Sequence, residues 1–249
     1  MITQSQIGEL KKYYQTDSFT IFREYLQLLF LNYLYQNEKG GRIYFKGGTA
    51  IHFFFSSPRF SEDLDFSTNC DKEEIKKIIE EVAKEMGREL PGLAVSFLYQ
   101  SQKTTRLRLK YQAVDFKYPF VIRLDFTIEK KPPRILVSPL LTKFPLVFFP
   151  IVSHLSAEEI LAEKIAAVIN RRKGRDLFDL WFLLEKGIKI ESVLIEAKLE
   201  RGRKFTKDGL IRRITSFPER RLALDLDRFL PQSQRKITPV LKERLVSFL

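Results

Sequence analysis

The tightest constraint on this 249-residue chain is the acid pair in Asp63-Leu64-Asp65-Phe66. In a β-strand, residues i and i+2 project from one face, roughly 6.5–7 Å apart along the chain. Asp63 and Asp65 are therefore expected on one side, with Leu64 and Phe66 entering the core. Two carboxylates aimed at one spot repel unless a cation sits between them. Mg²⁺ suits that place, because it takes hard oxygen ligands and usually shares them with substrate phosphates.

Upstream lies Gly47-Gly48-Thr49, which opens an apolar helical segment. Paired glycines free the backbone for positive φ and for close approach to a ligand. A helix starting there turns unpaired N–H groups and a positive dipole end outward, which suits phosphate, and Thr49 adds a hydroxyl donor. A phosphate cradle followed by a dicarboxylate metal site suggests nucleotide chemistry. The loop between them carries Arg59 and Ser61, which either bind substrate phosphate or brace the loop against Asp63 or Asp65. His52 stands without Cys or His at ligand spacing and reads as packing or solvated, not as a metal ligand.

Three strand-like segments follow, near residues 93–100, 104–112 and 119–128. The second alternates Arg106, Arg108 and Lys110 with Leu107, Leu109 and Tyr111. Those basic groups either line a groove or are ordinary exposed charges. In the third, Ile122, Leu124, Phe126 and Ile128 fill one face, leaving Val121, Arg123, Asp125 and Thr127 on the other. A carboxylate in so apolar a strand needs a partner, since burying an unpaired charge is costly. Asp125 is read as a third metal ligand or general base, with a salt bridge to Arg123 or another arginine as the alternative.

Gly-Gly-Thr-Ala followed by Arg-x-Ser-x-Asp-Leu-Asp-Phe resembles the first motif of the AbiEii/AbiGii toxin nucleotidyltransferases, members of the DNA-polymerase-β-like superfamily. Thr49 is a mild departure, since the family often writes Gly-Gly-Ser or Gly-Ser there. A second block, Glu159-Ile-Leu-Ala-Glu-Lys164 through Arg175-Asp176-Leu-Phe-Asp179-Leu, matches another signature of the same family, about a hundred residues on and in the right order. The resemblance implies a dyad on one strand, Asp63 and Asp65, with Asp125 on a neighbouring strand. It further implies Lys164 at the nucleotide phosphates and Asp176 at or beside the catalytic centre, with Arg59 and Ser61 among the nucleotide contacts. From the residues alone, Lys164 lies at the polar edge of an amphipathic helix and Asp176 reads equally as an N-cap. Asp179 and Trp181 read as structural.

The expected fold is α+β: a polymerase-β-like nucleotidyltransferase core, with a mixed sheet flanked by helices, over residues 1–150. A helical domain over 151–249 contributes Lys164 and Asp176. Helical periodicity covers residues 1–38, where Asp17 or Ser18 is a candidate cap, and about 71–87, where Asp71 is another. Lys130-Lys131-Pro132-Pro133 breaks the pattern, and the apolar segment 134–152 reads as an edge strand and then a linker. Ser156 with Glu159 forms a capping box, and residues 190–249 read as three helices broken at Gly202, Pro218 and Pro231. Thr238-Pro239 reads as a cap followed by the first helical residue.

Composition narrows the function classes. A hydrophobic content of 44% excludes a disordered chain, and no apolar run approaches the roughly 20 residues that cross a bilayer. The opening residues lack a signal-peptide layout, and Cys70 is the sole cysteine, so a cytoplasmic protein is expected. A net charge of +12 favours a polyanionic partner such as RNA. Arg201, Arg203, Lys204, Lys207, Arg212, Arg213, Arg220 and Arg221 concentrate that charge near the end, where they suit an RNA backbone or a solvated surface.

The leading expectation is a Mg²⁺-dependent transfer of NMP from a nucleoside triphosphate. The resemblance points to a tRNA 3′ end as acceptor and to a separately encoded antitoxin as partner, often a transcriptional regulator. Two alternatives stand: nucleotide transfer to a protein side chain, and a non-catalytic RNA-binding protein whose acids merely pair with arginines.

Overall fold

The structure, a computed structural model, describes residues 1–129, 134–147, 149–199 and 204–249. The expected break at Lys130-Lys131-Pro132-Pro133 lies outside the described residues, as do Gly202, Arg201 and Arg203. Chain contacts divide the molecule into two compact units, Met1–Ser56 with Phe60–Leu155, and Ser57–Arg59 with Ser156–Leu249.

The first unit is α+β. Its strands are β1 (Ile43–Lys46), β2 (Leu64–Thr68), β3 (Ala94–Gln100), β4 (Thr104–Tyr111), β5 (Phe120–Ile128), β6 (Ile135–Pro139) and β7 (Ile151–Leu155), in the order β3-β4-β5-β2-β1-β7-β6. The sheet is mixed, with β1 parallel to β7, β2 parallel to β5, and the other neighbours antiparallel. All three strands expected between residues 93 and 128 form. Segment 134–152 is corrected: β6 is the expected edge strand, but β7 is no linker and lies inside the sheet, between β1 and β6. Its five residues directly follow Pro150, a spacing that resembles a loop. Tyr35 Oη lies 2.9 Å from the carbonyl oxygens of both Ile43 and Ser153 and braces β1 to β7.

Residues 1–38 form two helices, α1 (Gln4–Tyr14) and α2 (Ser18–Gln36), broken where Gln15 takes φ 52°. Asp17 caps α2, accepting the Thr20 N–H at 2.8 Å. Helix α2 is apolar almost all round and is buried accordingly. Its Phe30 and Phe22 meet Phe66 and Phe120, with ring centroids 6.3 and 4.8 Å apart. Helix α3 spans Gly47–Phe55 and α4 spans Lys72–Glu89. Asp71 and Glu74 close a reciprocal capping box on α4.

The second unit contains α5 (Ala157–Asn170), α6 (Gly174–Glu185), α7 (Ser192–Lys198), α8 (Lys207–Thr215), α9 (Glu219–Asp227), a 3₁₀ segment (Gln232–Val240) and α10 (Leu241–Ser247). Ser156 caps α5 by accepting the Glu159 N–H at 3.3 Å. Among the described residues, 190–249 thus hold four α-helices and a 3₁₀ segment instead of three helices. Thr238-Pro239 starts no α-helix: Pro239 lies within the 3₁₀ turns, and α10 begins two residues later.

Phe66 ties the strand of the acids to the core. It is fully buried on β2 and stacks on Phe126 with centroids 5.0 Å apart, beside Phe45 and Phe30. Truncating a packed aromatic costs the transfer energy plus a cavity. Phe66→Ala should therefore destabilise the protein by about 3–5 kcal/mol in urea denaturation; a loss under about 1 kcal/mol would show that the centre of the sheet is not packed as described.

Candidate active site

Strand pairing sets the acids in rows. Lys46 pairs with Asp65, Asp65 with Asp125, and Asp125 with Arg106. Residues opposite one another on neighbouring strands share a face, so β1, β2, β5 and β4 carry a cation, two anions and a cation in one line across the sheet. Two positions earlier on β5, Arg123 lies on the same face, opposite Arg108. Asp63 stands one residue before β2 begins, and its carboxylate pairs with Arg123 through Nη2.

Each carboxylate has a defined environment. Asp125 pairs with Arg106 Nε, and its other oxygen lies 3.4 Å from Arg123 Nε. Burial pushes the Asp63 carboxyl above its ordinary value; Arg123 opposes that shift, while Asp125 and Glu62 add to it. Burial alone would lower Arg123, yet Asp63, Asp125 and Asp65 together raise it. All three acids therefore act on one guanidinium. Lys46, buried at the end of β1, completes the row 4.0 Å from Glu129 Oε1.

The turn between β1 and α3 is moulded to the acids. Of the two glycines, Gly47 is the one with positive φ, at 81°. A Cβ there would sit 2.8 Å from Asp65 Cβ, so glycine is required on both counts. The close approach predicted for a ligand is made by a protein carboxylate. Gly48 and Thr49 are buried in the first turn of α3, and Thr49 Oγ1 donates to the Asp63 carbonyl oxygen at 2.5 Å. Ser61 accepts the Gln27 amide at its carbonyl, at 3.0 Å. His52 packs against Phe60, with Nε2 3.2 Å from Glu24.

The donor set is one a hard divalent cation takes: carboxylate oxygens without thiol or imidazole. Among the described residues, no group of three or more His, Cys, Asp or Glu is drawn close enough to enclose a metal ion. The acids have the spacing of a guanidinium, which Asp63 and Asp125 approach through different nitrogens. Arg123 is thus a cation lying between Asp63 and Asp125, and the acids match a hard cation by donor type.

Other sequence-derived candidates belong to the second unit. Arg59 is 2% exposed and grips Asp179 with two bonds, Nε to Oδ1 at 2.7 Å and Nη2 to Oδ2 at 2.8 Å. It thus braces Asp179. Lys164 Nζ lies 2.8 Å from Asp179 Oδ2 and 3.5 Å from Asp176 Oδ1. Asp176 does not cap α6, where Lys173 takes that position; it accepts Nε and Nη2 of Arg171 at 2.8 and 3.0 Å. Burial pushes both carboxyls up, but Arg59 and Lys164 outweigh it at Asp179, and Lys164 and Arg171 at Asp176, so both end below the ordinary range. Burial would lower Lys164, but the two aspartates raise it, so it remains an ammonium.

Lys46 and the double reach of Arg123 were missed in the sequence. A lysine directly before the glycine pair was the available signal for the first. The second depends on which strands are neighbours.

A mixed sheet with acids on adjacent parallel strands, beside a glycine turn into a helix, defines the nucleotidyltransferase class. A family model described as "Nucleotidyl transferase AbiEii toxin, Type IV TA system" matches residues 29–244. The chain belongs to this family, and is a nucleotidyltransferase toxin of a type IV toxin–antitoxin system. That membership implies a nucleoside triphosphate substrate and an antitoxin partner, and enzymes of this kind generally use a divalent metal. No curated protein sequence matches the chain.

Solved structures show the same fold. MenT4, a nucleotidyltransferase toxin from Mycobacterium tuberculosis H37Rv, is similar with TM-score 0.64 and 18% identity, covering 100% of this chain and 89% of that one. A putative nucleotidyltransferase from H. pylori has TM-score 0.58 and 20% identity over 92% of this chain and 94% of its own. JHP933 from Helicobacter pylori has TM-score 0.57 and 20% identity over 92% and 91%. Among the described residues, no helix is long and apolar enough to cross a membrane.

The buried Arg59–Asp179–Lys164 cluster yields a pH-dependent prediction. Depressed carboxyls give stability that is full above their ordinary value of 3.8 and is lost as pH falls towards the folded values; the raised Lys164 loses its share above 10.5. Asp179→Asn leaves two buried cations poorly compensated, so it should cost roughly 3–5 kcal/mol at pH 7. In urea titrations the gap from wild type should persist at pH 5 and narrow only below 3.8. A gap that is unchanged at pH 3 would contradict the charge pairing.

Proposed function

We propose that the chain transfers an NMP group from a nucleoside triphosphate to a hydroxyl of RNA, with the 3′ end of tRNA as acceptor and Mg²⁺ as the ion. The observation that carries this reading is the pairing of Asp65 with Asp125 on neighbouring strands, with Asp63 and Asp125 both held by Arg123, beside the Gly47 turn. The net charge of +12 favours a polyanionic acceptor. The antitoxin is then a separately encoded protein, in keeping with a transcriptional regulator, and the reaction takes place in the cytoplasm.

In this reading Asp63 and Asp65 are the residues that would hold the ion. Asp125 completes the ligand set or takes the proton of the attacking hydroxyl. The α3 N-terminus with Gly47, Gly48 and Thr49 offers N–H groups to the outer phosphates. In the second unit, Lys164 is the group assigned to phosphate charge, held as an ammonium by Asp176 and Asp179; Arg59 anchors Asp179, and Ser61 orders the loop before the dyad. A bound divalent cation supplies positive charge for the triphosphate oxygens. The hydroxyl oxygen forms a bond to the α-phosphorus as the bond to the bridging oxygen breaks, and pyrophosphate departs. Catalysis is then positioning and preorganised electrostatics.

The test is incubation of the protein with each α-³²P-labelled NTP, purified tRNA, total cell protein and Mg²⁺. Label should appear on tRNA and survive periodate mapping at the 3′ terminus. Asp65→Asn should lower the rate by at least about 10²-fold, the usual scale for removing one electrostatic contact in the transition state. Label on protein in place of RNA would replace the acceptor assignment, and full activity of the variant would remove Asp65 from the mechanism.

A further inference from the structure

We propose that Arg123 is a tethered counter-cation that competes with the divalent ion for Asp63 and Asp125, so that this protein binds the bare ion weakly and binds ion and nucleotide cooperatively. The proposal rests on the metal-site reading above and adds to it a residue with a distinct task.

The geometry sets a guanidinium among the acids. Arg123 pairs with Asp63 through Nη2, and its Nε stands 3.4 Å from Asp125 Oδ2. Because Arg123 leaves β5 only two residues before Asp125, the strand delivers the cation to its own acid. An ion arriving alone must therefore displace a charge already present and permanently attached. Arginine does not deprotonate, so no change of pH within the working range removes this competitor.

Two features make the arginine displaceable. Its Nε is buried yet makes no hydrogen bond, so the pairing leaves one donor unsatisfied. Its side chain is also 41% exposed, which leaves room for the head to swing outward on its stem. Asp125 meanwhile retains Arg106, whose Nε pairs with the other carboxylate oxygen. Displacement of Arg123 thus leaves Asp125 paired and frees the Asp63 carboxylate for the incoming ion. A triphosphate gives the displaced guanidinium an anionic partner with matching fork geometry. The nucleotide thereby removes the competitor, and metal and nucleotide strengthen each other's binding by the same factor.

The test measures Mn²⁺ binding to the full chain by electron paramagnetic resonance, without nucleotide and without reading activity. Wild type, Arg123→Gln, Arg123→Lys and Asp65→Asn are compared at one ionic strength, with circular dichroism to confirm folding. Removing a cation a few ångströms away should tighten Mn²⁺ binding at least about tenfold in Arg123→Gln. Arg123→Lys keeps the charge and should stay within about threefold of wild type. If Arg123→Gln does not fold, Arg123→Met keeps the stem and is read in the same way. Equal or weaker binding in the neutral variants, with binding lost in Asp65→Asn, would overturn the role of Arg123 and leave the metal site standing. Absence of saturable binding in all the proteins would overturn both.

Discussion

Asp65 and Asp125 stand side by side on neighbouring parallel strands, and everything else in the first unit follows from keeping two like charges there. At such spacing, in a half-buried setting, carboxylates repel by more than a surface pair would. The sheet answers with cations on both flanks, Lys46 on β1 and Arg106 on β4, and with Arg123 from the next position on the same face. Remove those, and the two acids would face each other without compensating charge. A site tuned in this way holds one more cation only by exchange, which is why the proposed ion and Arg123 are alternatives.

Rigidity beneath the acids comes from the opposite face. Leu64, Phe66, Leu124 and Phe126 alternate with them and are fully buried, so the same pleat that presents the carboxylates anchors them in aromatic packing. Gly47 serves the same end from above β2. Its positive φ and missing Cβ let the chain pass directly over Asp65, and Thr49 ties the start of α3 to the Asp63 carbonyl. The second unit applies a related principle differently: Arg59, Lys164, Asp176, Asp179 and Arg171 neutralise one another in a buried network, which fixes geometry more than it adds stability.

Much of the fold was legible because alternation is a strong signal. Strands β4 and β5 declared their buried faces through Leu107, Leu109, Ile122 and Leu124, and α4 declared its start through Asp71. Strand β7 was not legible, since five residues next to Pro150 resemble a loop until β1 is there to pair with them. The candidate acids could be named from spacing, but their row could not. A period of two says which face a residue takes and nothing about which strand lies beside it. Hence Arg106 opposite Asp125 emerged only with the register, and Arg59 found its partner in Asp179, 120 positions along the chain.

The most direct measurement is a crystal structure of the protein with Mn²⁺ and a non-hydrolysable nucleoside triphosphate analogue, with data collected at the manganese edge. An anomalous peak coordinated by Asp63, Asp65 and Asp125, with the triphosphate against the Gly47 turn and Arg123 withdrawn from Asp63, is the predicted result. Nucleotide bound with Arg123 still paired to Asp63 and no manganese at the acids would contradict it.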